Sequence, residues 1–222
     1  TFVLNRQRVL DLCQRLRAAD LGIEWGCYAR VDLMDRDLME AIARAGCTRV
    51  FYGIESGSQA LLDQLHKGTT IEQAEEVVSL STRYFTQIWV SFICCLPFES
   101  MEDFAETIKA AGEFARLGPQ IDVEMTPFIL FPSSPLYAQW RHLQEFSPSY
   151  VPLLRDWMPD DPNESKTWRE LFTLVRAHPD VFAALYHVPG RDLKDKCNLF
   201  DGQRWLVQVL VGWAKSDEEF AA

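Results

Sequence analysis

From Ile23 to Phe128 the chain alternates between short apolar β-type runs and amphipathic helical stretches, four of each in turn. The β-type runs are Ile23 to Arg30, Thr48 to Ile54, Gln87 to Cys94 and Ile121 to Phe128. Helix signals fill the intervals. Asp35 opens "RDLMEAIARAG" and Gly46 stops it; Ser58 opens a short helix to His66; Thr70 caps "IEQAEEVVSLSTRYF". Ser100 and Asp103 form a capping-box variant before "MEDFAETIKAAGEFARLG". An earlier helix begins at Asn5, with Val9, Leu10, Cys13, Leu16 and Leu21 at helical spacing. Strand–helix alternation of this kind builds parallel βαβ units, because parallel strands need a crossover. The near-continuous apolar runs predict strands covered on both faces. A barrel and a doubly wound sheet both satisfy the pattern, and in either one the chemistry sits at the carboxyl ends of the strands.

Beyond Phe131 the pattern changes. Pro148, Pro152, Pro159 and Pro162 mark an irregular stretch. "SKTWRELFTLVRAH", "DVFAALYHV" and "GQRWLVQVLVGWAK" then read as helices rich in aromatics. The expected domains are an α/β part over 1–145 and a mainly helical extension over 146–222.

Charge narrows the partners. A net charge of −10 and a pI near 4.9 argue against a nucleic-acid groove or an anionic membrane surface. No apolar run approaches the ~20 residues of a membrane span, and "TFVLNRQRVL" is not a secretory signal. The 6 cysteines are scattered, without a Cys-x-x-Cys pair, which fits reduced core thiols and a cytoplasmic protein.

The strand ends collect the polar chemistry. Arg30 with Asp32 follows the first run, Glu55, Ser56 and Ser58 the second, Glu99 the third, and Thr126 to Ser134 the fourth. A guanidinium, carboxylates and hydroxyls on one rim suit a zwitterionic, sugar-bearing small molecule. Each residue also has a plainer role open to it. Arg30 and Glu55 can form a structural ion pair, Glu99 can be a solvated loop charge, and Ser56 and Ser58 can cap a helix. An acid–base enzyme using Arg30 and Glu55 is a further reading, weakened because no His lies near these strand ends.

The segments "TFVLNRQRVLDLC", "WGCYARVDLMDRDLMEAIARAGCTRVFYGIESGSQALLDQLHKGTT" and "SFICCLPFESMEDFAETI" resemble the later part of a radical SAM catalytic core. The resemblance runs from about Thr1 to Tyr137 and is nearest to the subgroup with an upstream cobalamin-binding domain. It implies a partial TIM-type (β/α) barrel with parallel strands, S-adenosylmethionine and a [4Fe–4S] cluster. It also implies a 5′-deoxyadenosyl radical for methylation, cyclisation or rearrangement of a small-molecule or natural-product substrate. A flavodoxin or ferredoxin would supply electrons, and cobalamin would enter through the upstream domain. Glu55 and Ser56 inherit contacts to the methionine moiety or ribose, Ile93 and Pro97 to the adenine side. Arg30 and Thr126 complete the expected cofactor-binding set.

Two departures stand out. No Cys-x-x-x-Cys-x-x-Cys motif occurs, so the cluster ligands are expected upstream of Thr1, and the piece alone is expected to be inactive. Cys95 and Phe98 occupy positions where the family commonly has glycine. The rival from another class is a catalytically incompetent barrel fragment serving as a binding or scaffold module.

Overall fold

The computed structural model describes residues 1–146, 165–190, 192, 195 and 196. Residue contacts divide the chain into two units. Among the described residues, the first holds 1–94 and 100–126, and the second 95–99, 127–146, 165–190, 192, 195 and 196.

In the first unit, helix α1 (Arg6–Ala19) precedes strand β1 (Trp25–Ala29), α2 (Arg36–Arg44) and β2 (Cys47–Glu55). Then follow α3 (Gln59–Gln64), α4 (Ile71–Ser81), β3 (Gln87–Cys94), α5 (Met101–Ala115) and β4 (Ile121–Pro127). The strands lie in the order β1-β2-β3-β4, and β1/β2 and β2/β3 pair in parallel. Sequence order equals spatial order, which is the progression of a barrel wall built from successive βα units. The fold is therefore the partial TIM-type α/β barrel expected from the sequence.

The caps read from the sequence are formed. Asn5 Oδ1 accepts from Arg8 N–H, Asp35 from Leu38, Ser58 from Leu61 and Thr70 from Gln73. Ser100 and Asp103 make a reciprocal capping box on α5. Each satisfies a backbone donor that the helix start leaves orphaned. Ser100→Ala is expected to cost about 1 kcal/mol, visible as a lower urea midpoint at unchanged slope.

One face of the sheet is dry. Val50, Tyr52, Ile88, Val90 and Phe92 are fully buried, with Ile54 at 2%. Leu38, Met39 and Ile42 of α2, Val78 of α4 and Phe114 of α5 are buried as well, and the Phe92 and Phe114 rings meet edge to face at 5.7 Å. The buried Tyr52 hydroxyl lies 2.8 Å from Ser81 Oγ, so the core leaves this phenol partnered. The other face is not covered as the sequence led us to expect. Along β2, buried residues alternate with half-buried or exposed ones, and Tyr28 on β1 is 65% exposed. The reason is geometric: the second face of a barrel strand looks into the lumen, not onto helices.

The second unit contains α6 (Pro135–Trp140), β5 (Glu145–Phe146), α7 (Lys166–Ala177) and β6 (Tyr186–His187). Leu130, Tyr137 and Val188 form its small core, with Phe128, Leu136 and Trp140 packed against them. α7 appears where "SKTWRELFTLVRAH" predicts it. "DVFAALYHV" departs from its helical reading: a short 3-10 turn at Ala183–Leu185 leads into β6, which pairs antiparallel with β5. A pairing partner about 40 residues back in the chain (Phe146 beside Tyr186) overrides the local helical pattern. "GQRWLVQVLVGWAK" and the proline-rich stretch from Pro148 to Pro162 lie outside the described residues. Among the described residues, no helix is long and apolar enough to cross a membrane.

Candidate functional site

Three of the four strands of the first unit bring a predicted site residue to the lumen face or its rim at their carboxyl ends: Glu55 on β2, Ile93 on β3 and Thr126 on β4, with Arg30 just beyond β1. All four are half-buried. Thr126 Oγ1 reaches the Phe92 carbonyl at 3.5 Å, at the outer limit of a hydrogen bond.

Arg30 and Glu55 do not pair directly. Arg30 forks onto Asp32, with Nε–Oδ1 and Nη2–Oδ2 both 2.9 Å, and Nη2 also donates to the Lys67 carbonyl at 2.9 Å. The hydrogen-bonded Asp32 carboxylate pushes the guanidinium further toward its charged form, and the Glu55 charge adds to this. Glu55 Oε1 accepts from Lys67 Nζ at 2.6 Å, and that pair is only 23% and 14% exposed. Lys67 thus touches both groups, by its carbonyl and by its ammonium. The sequence reading did not single out Lys67, although it lies in the family-like segment that ends in "HKGTT". It is the residue that reading missed.

The backbone at Glu55 is unusual. Its φ of 79° lies in the left-handed region, which costs a non-glycine residue about 1–3 kcal/mol. The β2/β3 register slips between Gly53 and Glu55. A Cβ at Gly53 would sit 2.4 Å from Glu55 Oε1. Gly53 therefore leaves the room into which the Glu55 carboxylate folds, over its own strand end.

Ser56 is placed differently from the expectation of a direct cofactor contact. It is fully buried and faces α5. Its hydroxyl accepts from the Ser58 N–H at 3.0 Å and lies 3.0 Å from Thr107 Oγ1. Gly57 N–H donates to the same Thr107 oxygen, and Ser58 Oγ donates to Asp103 Oδ1 at 2.6 Å. One residue past the lumen-facing Glu55, the side chain points the other way. Ser56 holds the loop to α5; it does not stand on the rim.

Pro97 belongs to the second unit and is buried. Its turn starts at Cys95, where φ is 62°, a left-handed position of the kind glycine takes most cheaply. Glu99 Oε2 accepts from the Cys95 N–H at 2.8 Å, and Glu99 N–H donates to the Leu96 carbonyl at 3.1 Å. Glu99 is fully buried and ion-paired to Lys196, so it is not the solvated rim charge that the sequence left open.

The donor set fits one implied cofactor in part and not the other. The Glu55 carboxylate and the Arg30 guanidinium suit the ammonium or ribose hydroxyls and the carboxylate of S-adenosylmethionine. No trio of His, Cys, Asp or Glu among the described residues can hold a metal ion, so these residues do not fit the [4Fe–4S] cluster. Cys13, Cys27, Cys47, Cys94 and Cys95 are buried thiols that form no disulfide among the described residues. Cys47 donates to Cys27 across 4.0 Å, which favours the thiolate at Cys27 and raises the pKa of Cys47. Cys197 lies outside the described residues.

Comparison with known proteins places this geometry. The chain is 30% identical over 142 residues to an uncharacterised methyltransferase of Pyrococcus horikoshii, covering 64% of this chain and 29% of that one. It is 33% identical over 113 residues to the anaerobic magnesium-protoporphyrin IX monomethyl ester cyclase of Rubrivivax gelatinosus, covering 50% of this chain and 20% of the other. It thus spans less than a third of the length of either relative. The radical S-adenosylmethionine methyltransferase TsrM from Kitasatospora setae shares the fold, with a TM-score of 0.50 at 21% identity over 60% of this chain and 27% of that one. Residues 4–111, just under half of the chain, match the model of the Radical SAM superfamily, so it is to the core of that superfamily that this α/β part is similar.

Proposed function

We propose that the chain is part of a radical SAM enzyme and that its β2 end holds the polar part of S-adenosylmethionine. The observation that carries this reading is the Glu55 carboxylate, kept in a left-handed backbone at a strand end and aimed by Lys67. Strain of that kind persists where the surroundings over-determine it, and such places concentrate at ligand sites. Glu55 accepts from the ammonium or the ribose hydroxyls. Arg30, fixed by Asp32, faces the cofactor carboxylate. Ile93 and Thr126 line the neighbouring strand ends, and Ser56 contributes by anchoring the loop. Pro97 lies in the second unit, in the turn that Glu99 ties to Cys95, and is not assigned to this strand-end site.

The cofactor and a [4Fe–4S] cluster, when bound, supply one-electron cleavage of a carbon–sulfur bond. The cluster ligands are proposed to come from outside the described residues. The relatives favour methylation or cyclisation of a small molecule. A flavodoxin- or ferredoxin-type reductant and cobalamin on a further domain belong to the same proposal.

The test uses the full protein that contains this chain, purified without oxygen. S-adenosylmethionine binding is measured by calorimetry. Glu55→Gln is expected to weaken it about 10-fold or more, the worth of a charge-assisted hydrogen bond. Unchanged affinity would return Glu55 to a purely structural role.

A further inference from the structure

Below the rim, the lumen face carries a feature that the cofactor reading leaves unused. Tyr28, Phe51 and Trp89 are register partners on β1, β2 and β3, so three aromatic side chains form one row across the sheet. The Tyr28 and Phe51 rings are 4.8 Å apart. The row walls a cavity of about 460 Å³, within the range of small-molecule sites. Arg49 and Glu124 line the same cavity and are exposed. Neither side chain makes a hydrogen bond or ion pair with any described residue. Gly26, the register partner of Arg49, presents no side chain; a Cβ there would lie 3.1 Å from the Arg49 Cβ, so the glycine leaves room for the stem of Arg49.

Two physical points decide what suits this cavity. Aromatic side chains gain about 0.5–1.5 kcal/mol per ring contact beyond area burial when they meet another ring. A purely apolar cover would desolvate Arg49 and Glu124 without partners, at a cost of several kcal/mol. The occupant must therefore bring rings for the row and polar groups for the two charges. We propose that this cavity binds a planar aromatic ligand bearing a carboxylate, with its rings on Tyr28, Phe51 and Trp89 and its carboxylate on Arg49. Glu124 accepts from a donor on the same ligand. Only in treating that ligand as the enzyme's substrate does this rest on the radical SAM reading.

The test needs neither the cluster nor S-adenosylmethionine, so its outcome is separable from that of the Glu55 experiment. Binding of 2-naphthoate, decahydro-2-naphthoate and 2-naphthylmethanol to the full protein is measured by calorimetry. 2-Naphthoate is expected to bind about 10-fold tighter than its saturated analogue. Phe51→Leu and Trp89→Leu should each reduce that preference about 2- to 10-fold. Arg49→Gln should weaken 2-naphthoate about 10-fold and leave 2-naphthylmethanol unchanged. Equal affinity for the saturated acid, or indifference to these substitutions, would overturn the proposal. So would an absence of binding, which would mean that another part of the protein fills the cavity.

Discussion

Lys196→Met is expected to lower the stability of the second unit by about 3–5 kcal/mol, a large part of what an ordinary domain possesses. Lys196 and Glu99 are both fully buried, with Nζ 3.1 Å from the carboxylate oxygen Oε2. The ammonium also donates to the Glu99 carbonyl. The substitution takes the cation away from a carboxylate that water does not reach. A buried pair contributes little net, because desolvating both charges offsets their attraction, whereas removing one partner is costly. The double variant Lys196→Met/Glu99→Gln should therefore recover much of the loss. Urea titrations of the single and double variants check this. A single variant within about 1 kcal/mol of the parent would mean that water reaches the pair. The local effect should centre on the turn from Cys95 to Glu99, because the same carboxylate oxygen holds the Cys95 N–H.

The second large effect is expected at Gly57. An added Cβ would lie 2.5 Å from the Glu106 carbonyl oxygen, 2.7 Å from the Ala110 Cβ and 2.7 Å from the Thr107 Cα. These are backbone and near-backbone atoms of α5, which no rotamer change can clear. Gly57→Ala must push the loop away from the helix and disturb the hydrogen bonds of Ser56, Gly57 and Ser58 to Thr107 and Asp103. Overpacking of this kind costs about 1–3 kcal/mol, and the strained bonds bring the expectation to about 3 kcal/mol or more. A chemical melt gives the stability, and S-adenosylmethionine binding should fall with it, since Glu55 lies two residues upstream. Ala110→Gly in the same chain should recover little, because the Glu106 carbonyl remains in the way. Near-complete recovery would show that the Ala110 methyl alone sets the limit.

What was legible in the sequence was local. The caps at Asn5, Asp35, Ser58, Thr70 and Ser100 depend on a few neighbouring residues, and all are formed. The limits of β3 match the Gln87 to Cys94 reading, while β1 is shorter than expected at both ends. The placement of Ser56 was legible in principle: strand alternation past Glu55 turns it toward α5. The Lys67 contact and the Tyr28–Phe51–Trp89 row were not. The first depends on how a helix returns over a strand end. The second depends on register between strands separated by whole helices, which no local pattern specifies. β6 failed for the same reason, since its partner lies in β5.

The left-handed backbone at Glu55 has a consequence for how this position can vary. Glycine or asparagine would relax the conformation and add stability, but neither carries a carboxylate. Mutational drift that favours only a sturdier fold therefore runs away from the group that faces the ligand. A glutamate retained here marks a place where the molecule is less stable than its own scaffold permits, and screening for thermal robustness would select against the site.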